Sequence, residues 1–270
     1  MDKLIVEVAL TGGLWHKADN PSLPVTPEEV ARDVRACADA GASVFHVHAR
    51  SRWDNYSCRA SRFQGFLDAV RTAEPGAIVS VSCSGRTHRE VSDRAEVLAL
   101  DGIDLATLTC GSFNYPTGGA SINDAATIRA LAGIMRERKI APELECFEPG
   151  HVAYALRLIE KGKVAPPFTF GLFLGVSCLA DRRVLDVMLD WLPEGAIWFG
   201  AGGGKAQQLM HRWAVALGGH VRTGLEDSLR LDGELTSNPA LAERAVAIGR
   251  ALGREPASIE GAREIIWGKQ

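Results

Sequence analysis

Apolar and polar positions alternate along this chain in two distinct periods. Leu4-Ile5-Val6-Glu7-Val8-Ala9-Leu10 is a short β-prone run, broken by Thr11-Gly12-Gly13. Thr26-Pro27-Glu28-Glu29 then marks a helix start, with Thr as the cap, Pro in the first turn and Glu against the positive end of the dipole. Val30, Val34, Cys37 and Ala38 recur at helical spacing, and Gly41 ends the stretch. A second apolar run, Ala42-Ser43-Val44-Phe45, follows. Strand, helix and strand within roughly 45 residues is the size of a βαβ unit.

The alternation continues to the end of the chain. The pattern predicts strands near 4–10, 43–48, 77–82, 103–109, 141–147, 168–174, 196–199 and 220–225. Helices are expected between them, at about 27–40, 60–73, 89–100, 123–138, 150–162, 181–190 and 204–217, with a last pair at 239–252 and 257–265. No linker, charge run, low-complexity stretch or internal repeat divides the chain. Eight βα units over 270 residues predict an α/β fold, a single-domain (β/α)8 TIM barrel spanning 1–270, with a doubly wound sheet as the alternative.

Composition changes the picture little. Hydrophobic residues make up 46% of the chain, enough for a sizeable core, and the net charge of −3 gives no sign of nucleic-acid binding. The six cysteines are scattered without Cys-x-x-Cys pairs, and several end apolar runs, as reduced buried cysteines do. The N-terminus enters a strand directly, and no apolar run reaches membrane-spanning length. These features point to a cytoplasmic protein.

Candidate chemistry gathers where a barrel places it, at the C-terminal ends of the strands. In Val44-Phe45-His46-Val47-His48-Ala49-Arg50, the side chains of His46 and His48 share one strand face. Two such imidazoles make half of a divalent-metal site, zinc first, although each could simply hydrogen-bond locally. Strand three ends in Ser82-Cys83-Ser84-Gly85-Arg86, small and rich in hydroxyls. Thr107 and Thr109 share a face of strand four, as do Glu143 and Glu145 on strand five. Buried carboxylates need a partner, a proton or a metal. Gly200-Ala201-Gly202-Gly203-Gly204-Lys205 is a glycine-rich turn before a helix, either a phosphate cradle or a plain loop. Strand eight runs into Arg222-Thr223-Gly224-Leu225-Glu226-Asp227. Glu226 could complete a His-His-Glu centre with an open position, and Asp227 could pair with Arg222; a solvated helix cap is the alternative.

Thr11-Gly12, Pro24-Val25-Thr26-Pro27-Glu28-Glu29, Ala40-Gly41-Ala42, His46-Val47-His48-Ala49-Arg50, Gly111-Ser112-Phe113-Asn114, Gly218-Gly219-His220-Val221-Arg222-Thr223-Gly224-Leu225-Glu226-Asp227 and Ser237-Asn238 together resemble the β-keto acid cleavage enzymes. The founding activity of that family is cleavage of 3-keto-5-aminohexanoate. The resemblance covers nearly the whole chain. It implies a (β/α)8 barrel, a bound zinc ion, a homo-oligomer, commonly a tetramer, and transfer between a β-keto acid and acetyl-CoA that gives acetoacetate and a new acyl-CoA. It further implies that His46, His48 and Glu226 bind the zinc and that Arg222 and Asp227 form the base-activating pair. Ser82, Gly85 and Thr107 match its substrate contacts, and Glu143 matches its acid on strand five, with Glu145 competing for that role.

One departure bears on the substrate. The founding enzyme keeps an acidic residue after its first strand, suited to a cationic amino substrate. Here the stretch reads Gly13-Leu14-Trp15-His16-Lys17. A distal end that is uncharged, apolar or anionic is expected instead. The strand-six end, Gly175-Val176-Ser177-Cys178, and the Gly202-Gly203-Gly204-Lys205 loop also differ from the family, which leaves the coenzyme A contacts open. Two rival functions stand beside this reading: a zinc hydrolase of the amidohydrolase type, and a non-catalytic binding protein on a barrel scaffold. The hydrolase usually carries its paired histidines on strand one and adds further histidines at later strand ends. Neither His151 nor His211 falls at such an end.

Overall fold

The computed structural model describes residues 3–116 and 118–269. Eight parallel strands close into a barrel: β1 (Val6–Thr11), β2 (Val44–Val47), β3 (Ile78–Val81), β4 (Leu105–Thr109), β5 (Ala141–Cys146), β6 (Thr169–Leu174), β7 (Ile197–Gly202) and β8 (His220–Thr223). Each strand pairs with its neighbours in sequence, and β8 closes on β1. Around it lie α1 (Pro27–Asp39), α2 (Ala60–Ala73), α3 (Val91–Ala95), α4 (Ala125–Arg138), α5 (Pro149–Glu160), α6 (Arg182–Asp190), α7 (Ala206–Ala216) and α8 (Asn238–Ala251). The fold is a (β/α)8 TIM barrel. None of the described helices is long and apolar enough to cross a membrane, and all six cysteines are free.

Local chemistry accounts for the element ends. Thr26 caps α1: its hydroxyl accepts the Glu29 N–H while the Glu29 carboxylate accepts the Thr26 N–H, a complete capping box. Asp124, Asp181 and Ser237 cap α4, α6 and α8 with their side-chain oxygens, which accept N–H groups of the first turn. Inside the barrel, Ile5, Val44, Ile78, Leu105 and Phe199 fill the N-terminal end. A final helix, α9 (Ile259–Trp267), presses Ala262 and Ile266 against them and closes that end.

The register sets the site. Glu7 of β1 lies beside Arg222 of β8, His46 of β2 beside Ser80 of β3, and Thr107 and Thr109 of β4 beside Glu143 and Glu145 of β5. Two segments differ from the sequence expectation. The expected helix at 89–100 is the five-residue α3 followed by a 3₁₀ turn, Glu96–Ala99. β7 continues through Gly200 to Gly202, because each of its six residues pairs with β6; pairing overrides the break that the glycines suggest. Three two-residue hairpins, Ala49–Arg50 with Tyr56–Ser57, Phe113–Asn114 with Ala120–Ser121, and Arg230–Leu231 with Glu234–Leu235, build up the loops at the C-terminal face.

Candidate active site

At the C-terminal ends of β2 and β8 the two strongest sequence motifs meet. His48 Nε2 lies 2.9 Å from Glu226 Oε1, and His46 Nε2 lies 3.4 Å from Glu226 Oε2. Two glycines make this approach possible. A Cβ at Gly12 would stand 2.5 Å from Glu226 Cγ. Gly224 has a φ of +133°, and a Cβ there would meet the Ala9 carbonyl at 2.1 Å. With no side chain at either position, the chain after β8 crosses over β1 and Glu226 reaches the histidines.

The three donors fit a divalent metal. Their ligand atoms lie within 4.8 Å of one another, and two imidazoles with one carboxylate are a zinc-type set. Glu226 Oε2 is buried and makes no hydrogen bond. The Ser80 hydroxyl donates to Glu143 Oε2 at 3.0 Å, which leaves its oxygen to accept from His46 Nδ1, also at 3.0 Å, in the tautomer that carries the proton there. In that tautomer the Nε2 lone pair is free for a ligand role, the arrangement in which an outer carboxylate orients a metal-binding histidine. Burial, reinforced by the nearby Arg222 cation, holds His46 well below the usual imidazole range.

Arg222 is the electrostatic centre. Its guanidinium lies 3.2 Å from both Asp227 and Glu226, and 3.8–3.9 Å from Glu7, Glu143 and Glu145, five carboxylates around one buried cation. Burial alone would favour loss of its proton, but Asp227, Glu226 and the others outweigh that and keep it charged. The carboxylates divide by depth. Burial, with Glu143 beside it, pushes Glu7 well up; burial also raises Glu143 against the pull of Arg222. Glu145 is pushed up to about 7 and Asp227 to about 6, both by burial opposed by Arg222. Glu226 goes the other way: His48, Arg222 and His46 overcome its burial and hold it below the usual range. The cluster thus sets carboxyls pushed up by burial beside one held down by its cationic neighbours, around one fixed positive charge.

A cavity of about 270 Å³ opens above these groups. His46, His48, Ser82, Arg222, Glu226 and Asp227 line it. Three other predicted contacts do not. Thr107 accepts the Cys83 N–H at 3.1 Å. Gly85 packs where a Cβ would stand 2.6 Å from the Ile122 carbonyl and 2.8 Å from Arg94. Glu143 lies one layer down, under Ser80, whereas Glu145 reaches the cavity and accepts from the Thr109 hydroxyl at 2.6 Å. Leu14 and Trp15 line the mouth. Arg50 holds that loop, donating to Thr11 Oγ1, the Trp15 carbonyl and Asp54. His151 and His211, on α5 and α7, bond to backbone instead of entering the site.

Sequence reasoning missed Glu7, whose signal was a lone charge inside an apolar strand, and Ser80, which carries none. It also missed a stack of rings along one wall. Phe173, Phe147 and Phe113 stack at centroid distances of 4.5 and 3.9 Å, and Tyr115 follows at 4.8 Å.

A carboxylate-ringed arginine beside a His-His-Glu corner that could hold a metal ion lies at the catalytic face of a TIM barrel. The comparisons give the family. The model of the beta-keto acid cleavage enzyme family matches residues 3–267. The 3-keto-5-aminohexanoate cleavage enzyme of Fusobacterium nucleatum is 35% identical over 268 residues, covering 98% of both chains. The 3-oxoadipate:acetyl-CoA acetyltransferase of Cupriavidus necator is 35% identical over 269 residues, covering 97% of this chain and 94% of that protein. Among solved structures, apo ObcA shares the fold at a TM-score of 0.77 and 18% identity, over 91% of this chain and 65% of that one. The chain belongs to the beta-keto acid cleavage enzyme family, and it is an enzyme.

Proposed function

We propose that this enzyme is zinc-dependent and transfers between a β-keto acid and acetyl-CoA, giving acetoacetate and a new acyl-CoA. The observation that carries this reading is the buried Arg222–Asp227 pair set against His46, His48 and Glu226 on the floor of one cavity. The names of relatives that share almost the whole chain support the same chemistry. His46, His48 and Glu226 would hold the zinc, which when bound polarises the substrate ketone as a Lewis acid.

The chain's own residues supply the rest. Asp227 lines the cavity and takes the proton from the carbon between the ketone and the carboxylate; Arg222, held cationic by its five carboxylates, stays protonated and stabilises the negative charge that develops. That carbon then attacks the acetyl-CoA carbonyl and the thiolate leaves. The thiolate attacks the original ketone, the bond between that ketone carbon and the carbon first deprotonated breaks, and Asp227 returns its proton to the released carbon, leaving acetoacetate and the new thioester. Ser82 offers a hydroxyl to the bound carboxylate, and Glu143 keeps His46 oriented through Ser80. A second cavity, of about 760 Å³, shares Trp15, Gly204 and Asp227 with the first and is lined by Lys205 and Arg230. It adjoins the first and offers room for a long cosubstrate such as coenzyme A, with Lys205 and Arg230 set among Asp19, Asp227 and Asp232. In keeping with the family, a homotetramer and a cytoplasmic location complete the proposal.

The test is direct. Purified enzyme is incubated with acetyl-CoA and a panel of β-keto acids while acetoacetate and bound metal are measured. Acetoacetate formed together with a new acyl-CoA, and about one zinc per chain, is the expected outcome. Hydrolysis of acetyl-CoA without acetoacetate, or full activity in metal-free protein, would overturn it.

A further inference from the structure

The wall of stacked rings joins two cations. At its inner end the Arg222 guanidinium lies 5.0 Å from the Phe173 ring; at its outer end the Arg86 guanidinium lies 4.0 Å from the Tyr115 ring. Between them the rings follow one another at 3.9–4.8 Å. The two arginines differ in one respect. Arg222 is surrounded by carboxylates. Arg86 has no ion-pair partner among the described residues, yet it is half-buried and lines the cavity.

The cavity's own acids sharpen the contrast. Its lining carboxylates are Glu145, Glu226 and Asp227, and all three lie within 3.8 Å of Arg222. No carboxylate lines the Arg86 end among the described residues. What accompanies Arg86 there is Ser84, Thr87 and Ser121, three hydroxyl side chains, with Leu14 and Trp15 elsewhere at the mouth. A guanidinium whose carbon sits over an aromatic ring still has N–H groups to offer, and a guanidinium edge matches a carboxylate two bonds at a time. Its stem is already ordered by the ring, so little side-chain freedom is lost on binding.

We propose that Arg86 is the anchor for a second carboxylate, so that the preferred substrate is a β-keto dicarboxylic acid. Its keto acid end lies at Arg222 and the histidines, and its distal carboxylate meets Arg86 within the one cavity that all of them line. This rests on the β-keto acid reading above and goes beyond it by naming the substrate class. It also accounts for the missing acid after β1: a carboxylate at Leu14 or Trp15 would repel a dianion at the cavity mouth.

The experiment compares 3-oxoadipate with 3-oxohexanoate, which have the same backbone length and differ at the distal end, in the zinc-loaded enzyme with acetyl-CoA. The expected kcat/KM ratio favours the dicarboxylate by about tenfold or more. Arg86→Gln should bring that ratio close to one, through KM for the dicarboxylate and not through KM for acetyl-CoA. Arg86→Glu should invert the preference and raise the relative turnover of 5-amino-3-oxohexanoate, whose distal end is cationic. Equal losses on both keto acids in Arg86→Gln, or a raised KM for acetyl-CoA, would overturn the proposal; the second would assign Arg86 to the coenzyme phosphates. If the wild-type enzyme makes no acetoacetate from any keto acid, the reaction reading fails and calorimetry decides the subsite alone. In that case tighter binding of 3-oxoadipate than of 3-oxohexanoate, lost in Arg86→Gln, supports the anchor. Equal binding refutes it.

Discussion

The lower and upper halves of the barrel interior are built from the same strands and have opposite chemistry. At the N-terminal end, Ile5, Val44, Ile78 and Leu105 form a dry layer sealed by α9. Two residues further along each strand, the same inward face presents Glu7, His46, Ser80 and Thr107, all buried. Ala141 gives way to Glu143, and His220 to Arg222, by the same step of two. The lower layer stabilises by removing apolar surface from water. The upper layer carries a desolvation cost that is tolerable only because Arg222, the carboxylates and the histidines offset one another. The lesson is that one strand can serve as scaffold and as site, with the boundary drawn at a single inward position.

Breaking the upper layer should have the largest effect on activity. His46→Ala should abolish turnover and lower bound zinc from about one per chain to near none, as metal analysis of the purified variant would show. Zinc at full occupancy without that histidine would contradict the assignment. Asp227→Asn comes next. It keeps the shape and the metal corner but removes the proton acceptor, so kcat should fall by about 10²–10⁴-fold with zinc retained. A change confined to KM would reduce Asp227 to a positioning role.

Breaking the lower layer should do the reverse. Ile78 is fully buried, and Ile78→Ala should cost about 2–5 kcal/mol of stability in a denaturant melt. Below the melting transition kcat should change by less than about threefold, since the cavity does not reach that layer. A large loss of kcat in stable protein would show that the two halves are coupled.

The smallest effect concerns pH. Burial, together with Arg254, holds His220 down at about 3, and its Nδ1 accepts the Ile5 N–H at 3.1 Å. An unfolded imidazole titrates near 6.5. Between those values the unfolded chain binds a proton that the folded chain refuses, so stability falls as pH drops from about 6.5 toward 3. His220→Asn keeps an acceptor for Ile5 and removes the titration. Below pH 6.5 its stability should fall less steeply than that of the wild-type chain, by about 1 kcal/mol per pH unit. Parallel curves would mean that His220 is already protonated in the folded protein.

Much of this protein follows from local rules. The capped start of α1, the strand-and-helix alternation and the paired histidines on β2 depend on residues within a few positions of one another, where spacing alone decides which side chains share a face. The barrel followed from the count of units, and the run from Arg222 to Asp227 was visible as polar residues at the end of an apolar strand. Other features depended on distant segments meeting. Glu143 and Glu145 have the same face and the same chemistry in the sequence, and only the barrel's layering puts one beneath Ser80 and the other in the cavity. Glu7 lies 215 positions from the arginine it faces. Phe113, Phe147 and Phe173 come from three consecutive βα units and become a wall only when closure stacks them. A side chain's periodicity is written in the chain around it. Its depth and its partners, and hence its charge, are settled by what the closed barrel brings beside it.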